Sequence, residues 1–243
     1  MKNRYNLAAV LSAVVLVCCG ALILSQKVSA AGEGKITGTV KLDGPAPHMR
    51  GIDMSKDPYC VKANAANPAH METVVVGKDN GLENVVLYLD GWSGQADVST
   101  AVPVYDQKNC MYTPHVLGLD VTQTFKVVTS DQTAHNIHPL PNPMINVGWN
   151  QSQPPGAPPI EKSWKNPEVI PVQCNIHPWM HGWFVVVKGP YATTGDDGSF
   201  TINNVPPGNY TVKAWHEPDE TQTQKVTVAA GQSATANFTF KAK

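Results

Sequence analysis

The chain has 243 residues, 42% of them apolar and 15% charged, with a formal net charge of −1. A chain this long and apolar buries real cores, which excludes intrinsic disorder, and its balanced charge offers no basic face for nucleic acid. Twenty prolines and 19 glycines favour turns and short strands over long helices.

In chain order, the first thirty residues stand apart. Lys2 and Arg4 precede an apolar run from Leu7 to Leu24, and "VSA" at 28–30 supplies small residues for cleavage. That is the layout of a secretory signal peptide, and it implies a periplasmic or otherwise exported protein. The apolar run is long enough to leave an uncleaved membrane anchor as the competing reading, the only route by which this chain would meet a membrane. A lipoprotein reading of Cys18 is opposed by Val17, which stands where a small residue is expected. Beyond residue 30 the chain keeps 15 basic and 19 acidic side chains, a net charge of −4.

The remainder reads as strands and turns. "KITGTVKLDG" (35–44) alternates apolar and polar residues and ends in a turn. A polar stretch containing Cys60 follows, then two strand-like segments, "ETVVVG" (72–77) and "ENVVLYLDG" (83–91). Val116, Leu119 and Val121 give broken alternation, and Phe125, Val127 and Val128 open another strand. Residues 139–167, rich in Pro, Asn and Gly, form a long irregular connection, with Trp149 and Trp164 placed to pin it. "EVIPVQC" and "GWFVVVKG" are strands flanking a short loop, and the tail adds about four more. No segment after the first thirty residues has a helical period, so the fold class is all-β, built as sandwiches. Four strands are too few for an independent C-terminal sandwich, and "KITGTVKLDG" and "ENVVLYLDG" are its natural donors.

Beyond the signal there are three cysteines: Cys60, Cys110 and Cys174. An odd number in an exported chain leaves one thiol for another task. Cys174 sits among metal-ligating side chains, which pairs Cys60 with Cys110 in a disulfide. The loop reads Cys174-x2-His177-x2-Met180 between two strands. Thiolate, imidazole and thioether together select a soft, redox-active ion, and the set calls for a second imidazole from elsewhere. "TAHNIH" offers His135 or, less well placed, His138. His181, directly after Met180, reads as a surface residue, with competition for the axial position as the alternative. His115 reads as structural or surface, and His48, His70 and His216 as solvated or internally satisfied.

The two segments "YTPHVLGLDVTQTFKVVTSDQTAHN" and "VIPVQCNIHPWM" together resemble the cupredoxins, the plastocyanin- and amicyanin-like blue copper proteins. The resemblance covers about residues 100–188. It implies a Greek-key β-sandwich holding one mononuclear copper ion on His135, Cys174, His177 and Met180. It also implies a hydrogen bond from Asn136 that ties the His135 loop to the Cys174 loop. One ligand histidine would be partly exposed as the electron port, with Pro178 and Trp179 as an apolar rim for a redox partner protein such as a cytochrome. Thr122 and Thr129 depart from the family's usual residues at turn positions. "GDDGSFTINNVPPGNYTVKAWHE" in turn resembles carboxypeptidase regulatory-like modules, small transthyretin-type sandwiches without catalysis of their own. The expected organisation is therefore a signal peptide (1–30), an N-terminal β region able to pair with the C-terminal module (31–99), a cupredoxin-like domain (100–188) and a regulatory-like β module (189–243).

Function classes narrow accordingly. There is no His-x-His or His-Cys-His for a multicopper oxidase, no Cys-x3-Cys for a binuclear centre, no Cys-x2-Cys-His for haem and no Gly-x-Ser-x-Gly for a hydrolase. The sequence points to an exported type 1 copper electron carrier, not an enzyme. Copper storage or delivery through the same ligands is the alternative, and a structural or adhesion sandwich with a degenerate site is the third reading.

Overall fold

The computed structural model describes residues 32–94 and 102–242. The signal segment expected at 1–30 lies outside the described residues. The elements in chain order are β1 (Gly34–Asp43), α1 (Pro58–Ala63), β2 (Val86–Leu89), β3 (Val104–Lys108), β4 (Met111–Thr113), β5 (Val116–Asp120), β6 (Phe125–Thr129), β7 (His135–Pro139), β8 (Gln151–Gln153), β9 (Ile160–Lys162), β10 (Glu168–Gln173), β11 (His181–Val187), β12 (Tyr191–Thr193), β13 (Ser199–Val205), β14 (Gly208–His216), β15 (Glu220–Val228), β16 (Ser233–Thr235) and β17 (Phe238–Lys241). The fold is all-β, as the sequence pattern requires. No helix among the described residues is long and apolar enough to cross a membrane.

Among the described residues, four sheets make two sandwiches. In the first, the sheet ordered β5-β11-β10-β7-β8 faces the sheet ordered β4-β3-β6-β9. Tyr105, Phe125, Ile137, Ile170 and Phe184 fill the space between them. In the second, β1 pairs with β13, β16 and β17, and this sheet faces the one ordered β12-β2-β14-β15. Ile36, Val40, Leu87, Phe200, Ile202, Phe238 and Phe240 form its core. The strand shortage of the C-terminal segment is thus made up by β1 and β2, from the first ninety residues.

Period-two alternation explains how the sandwiches join. Along β11, Phe184 and Val186 point into the first core, while Val185 and Val187 point to the opposite face. There they meet Val86, Val116 and Trp215, with Trp183 against Trp215 at a ring separation of 5.5 Å. The unbroken apolar run "WFVVV" is therefore a strand buried on both faces.

Two expectations change. "ETVVVG" does not form a strand. It makes only an isolated bridge, Val76 to Leu82, because its backbone bonds run to Gly81 and Glu83 of the next segment rather than to a sheet edge. The long connection 139–167 is not wholly irregular, since β8 and β9 each extend one of the two sheets of the first sandwich. Trp149 and Trp164 do pin it: their rings stack at 6.5 Å, and Trp164 packs on Phe184.

Gly38 is where the second sandwich has no room to spare. A Cβ at this position in β1 would lie 1.6 Å from the carbonyl oxygen of Ala236, in the jog between β16 and β17. Gly38→Ala is expected to lower stability by about 1–3 kcal/mol through a forced backbone shift. Urea denaturation checks this, and an unchanged midpoint would refute the tight approach.

Candidate metal centre

The site lies at one end of the first sandwich, where three chain segments converge. His135 is the first residue of β7, and Cys174 follows the last residue of β10. His177 and Met180 belong to the tight loop from β10 to β11. That loop is closed by two backbone bonds, Met180 N–H to the His177 carbonyl (3.0 Å) and Cys174 N–H to the Met180 carbonyl (3.1 Å). Antiparallel pairing of β10 with β7 and β11 brings the segments side by side.

One ligand atom from each of His135, Cys174 and His177 lies within 4.8 Å of the others, and all three residues are buried. His135 Nδ1 and His177 Nδ1 are 2.9 Å apart, and Cys174 Sγ is 4.0 Å from His177 Nδ1. The other nitrogen of each ring meets a carboxylate. His135 Nε2 donates to Asp131 Oδ2 at 2.8 Å, and His177 Nε2 donates to Asp57 Oδ2 at 3.0 Å. With each Nε2–H so engaged, a neutral ring turns its Nδ1 lone pair inward. Two lone pairs face each other beside a sulfur, which calls for a cation between them, a shared proton or a metal ion. Carboxylate–histidine pairs of this kind orient metal ligands and raise their basicity. The residues present therefore fit a thiolate-binding metal ion. Met180 is buried in the same core cluster as Cys174.

Electrostatics ease ionisation of the sulfur. Burial would raise the Cys174 thiol, but hydrogen bonds from His135 and from the backbone N–H groups of Asn136, His177 and Ile176 outweigh it and bring the thiol down. Burial opposes a charged His135, yet Asp131 and Cys174 raise its pKa. Burial also pushes Asp57 up, but hydrogen bonds from His177, Thr133, Cys60 and Tyr59 bring it down to about 2.

The structure places the remaining expected residues plainly. Asn136 Oδ1 accepts the Asn175 N–H at 2.5 Å, tying the His135 strand to the Cys174 loop. Cys60 and Cys110 are bonded, with Cα atoms 5.6 Å apart. His138 stays apart from the cluster and contacts Asn175 Oδ1 at 3.0 Å. His181 stands outside the His135–Cys174–His177 cluster. Consecutive strand residues alternate faces, and its Nε2 points toward Glu217, 3.8 Å away.

One expectation is overturned. Neither His177 nor His135 is an exposed port: His177 is 3% exposed and His135 fully buried. The polar stretch carrying α1 covers His177, because Asp57 caps α1 through Tyr59 N–H and Cys60 N–H with one oxygen and holds His177 Nε2 with the other. The disulfide fastens this cover, with Cys60 Sγ 3.8 Å from His177 Nε2. Asp57 and Asp131 were not singled out in the sequence. The "DP" at 57–58 is a legible helix start, but the reach from residue 57 to residue 177 is not.

Comparisons with known proteins fall on both sandwiches. Residues 185–241 match the family model of the carboxypeptidase regulatory-like domain. β1 and β2 lie outside that match although they complete its sheets. Among solved structures, an oxidized proline-to-glycine mutant of amicyanin is 17% identical, covering 42% of this chain and 98% of that one with a TM-score of 0.33. The Cu(I) form of a methionine-to-alanine mutant of amicyanin is 19% identical with the same coverage and a TM-score of 0.32. The Cu-containing nitrite reductase (NirK) from Thermus scotoductus SA-01 is 16% identical with a TM-score of 0.33; the match covers 42% of this chain but only 25% of that enzyme. A comparison with curated proteins finds no match.

Asp131 accepts four hydrogen bonds near the site, from Asn109 N–H, Cys110 N–H, the Tyr59 hydroxyl and His135 Nε2–H. Asp131→Asn is expected to cost about 1.5–3 kcal/mol in urea denaturation, the scale of hydrogen bonds to a charged group. It should also release His135 from a single tautomer, which the ring nitrogen shifts in NMR report. An unchanged tautomer would show that Asp131 does not orient the ring.

Proposed function

We propose that this chain is an exported type 1 copper protein whose first sandwich carries single electrons, with His135, Cys174, His177 and Met180 as ligands and no catalytic role of its own. The observation that supports this best is the buried pair of Nδ1 atoms, 2.9 Å apart beside Cys174 and backed on both sides by carboxylates. The donor set of thiolate, two imidazoles and a thioether suits copper over zinc. Copper held there supplies a one-electron couple between Cu(I) and Cu(II).

The chain's own residues set the conditions for that couple. Asp131 and Asp57 hold the two rings in one orientation. Asn136 and the backbone bonds of the Cys174–Met180 loop fix the sulfur. A ligand frame that moves little between redox states exchanges electrons with little reorganisation, and the surrounding apolar core excludes water. With His177 covered, the apolar surface nearest the site is the adjoining rim, where Ile176 is 49% exposed, Pro178 is exposed and Trp179 is half-buried. A redox partner protein, such as a cytochrome, would dock on that rim.

The covered His177 edge favours a second reading, copper storage or delivery through the same residues. Addition of Cu(II) to the purified chain is expected to give an intense visible thiolate band that Cys174→Ser abolishes. Absence of the band in the intact chain would end the copper reading and leave a structural sandwich. Reversible reduction with copper retained supports the carrier, whereas release of copper on reduction supports delivery. For the docking rim, Ile176→Lys is expected to slow electron exchange with a partner while leaving the visible band unchanged. Equal rates would move the docking surface elsewhere.

A further inference from the structure

A second group of metal-ligating side chains lies one residue along the chain from Met180, where the two sandwiches meet. His115 precedes β5, His181 opens β11, and Glu217 follows β14. One ligand atom from each lies within 4.8 Å of the others. His115 Nε2 is 2.5 Å from Glu217 Oε2, and His181 Nε2 is 3.8 Å from Glu217 Oε1. The two rings cross nearly at right angles, with centroids 5.2 Å apart. Both Nε2 atoms therefore address the same carboxylate.

The outer contacts sort the protons. A carbonyl only accepts, so His181 Nδ1 donates to the Trp179 carbonyl at 3.1 Å, which leaves the Nε2 lone pair of a neutral ring facing an anionic carboxylate. Burial would raise the Glu217 carboxyl, but the hydrogen bond from His115 keeps it below the usual range. On the far side of His115, Nδ1 is 3.6 Å from Glu72 Oε2, beyond hydrogen-bond reach, and neither atom has another partner. The His115 side chain is only 1% exposed. A buried nitrogen left without a partner is costly, and a bound cation that draws the group together would remove that cost.

We propose that His115, His181 and Glu217 form a second metal site, taking a divalent first-row transition ion without thiolate, with Glu72 as the outer partner that orients His115. Two imidazoles and one carboxylate are the donor set of zinc and non-haem metal centres that keep an open position. A groove of about 470 Å³ lined by Arg50, Ile52, Met71, Pro178, Trp179 and His181 reaches the half-buried edge of His181 and supplies the entry path. Two ligands come from the first sandwich and one from the second, so the ion clamps the two together. The site shares no ligand with the copper reading and does not depend on it.

Zn(II) titration of the full chain against a chromophoric competitor, paired with thermal unfolding, tests this. The expected result is one equivalent of Zn(II) that persists in Cys174→Ser, is lost in His181→Ala and in Glu217→Gln, and raises the unfolding temperature only where it binds. His181 is half-buried, so His181→Ala keeps the fold, and an unchanged circular dichroism spectrum verifies that. Glu72→Gln, on a partly exposed side chain, should weaken this equivalent by about 10–100-fold. A parallel Cu(II) titration should add a paramagnetic resonance signal without thiolate character, absent in His181→Ala while any visible thiolate band stays. Failure of the copper reading would remove the band and leave the Zn(II) equivalent in place. Zn(II) binding that is equal in wild type, His181→Ala and Glu217→Gln would overturn the proposal and reduce the cluster to a histidine–carboxylate ion pair.

Discussion

Two imidazole rings aimed at each other across 2.9 Å inside a buried pocket are the constraint on which the first sandwich depends. Buried polar groups are costly unless each finds a partner, and these rings come from segments 42 residues apart. The fold answers with a carboxylate behind each ring, Asp131 for His135 and Asp57 for His177. Each carboxylate is itself fixed by backbone amides, of Asn109 and Cys110 for Asp131 and of Tyr59 and Cys60 for Asp57. The disulfide between Cys60 and Cys110 joins those two sets of amides, so one covalent link holds both anions in register with the rings. The inward Nδ1 atoms and the lowered thiol of Cys174 follow from that scaffold.

The same logic makes β11 the strand on which the molecule turns. Its inward residues close the first core, and its outward residues meet Trp215 and Val86 of the second sandwich. At its start the alternation separates Met180, buried with Cys174, from His181, turned to Glu217. Neighbouring side chains in one short motif thus serve two different clusters. The C-terminal sandwich contributes to one of them, through Glu217, and borrows β1 and β2 to exist at all.

Much of this was legible from residue order. Period-two patterning announced most of the strands, and Cys174-x2-His177-x2-Met180 with an upstream His135-Asn136 announced the soft donor set. The bridge pattern followed from cysteine arithmetic. "ETVVVG" was misleading because three consecutive valines carry β-propensity whether or not a sheet edge awaits them. His115, His181 and Glu217 carried no signal as a group, since they lie in three separate stretches and are united only by sheet packing. The covered state of His177 was equally invisible, because the resemblance to cupredoxins begins only near residue 100 and does not reach Asp57.

By itself the sequence determined the chemistry available: an all-β chain, one free thiol flanked by imidazole and thioether, and a disulfide pair to brace it. Local patterning and donor identity are properties of neighbouring residues, and they survive in one dimension. Only the tertiary structure decided which nitrogen of each ring faces inward, which histidine is covered, and where His181 points. Those are outcomes of long-range hydrogen bonds, such as Asp57 to His177 and Glu217 to His115, whose partners lie more than a hundred residues apart. Such contacts are set by how sheets stack, and no local pattern encodes that.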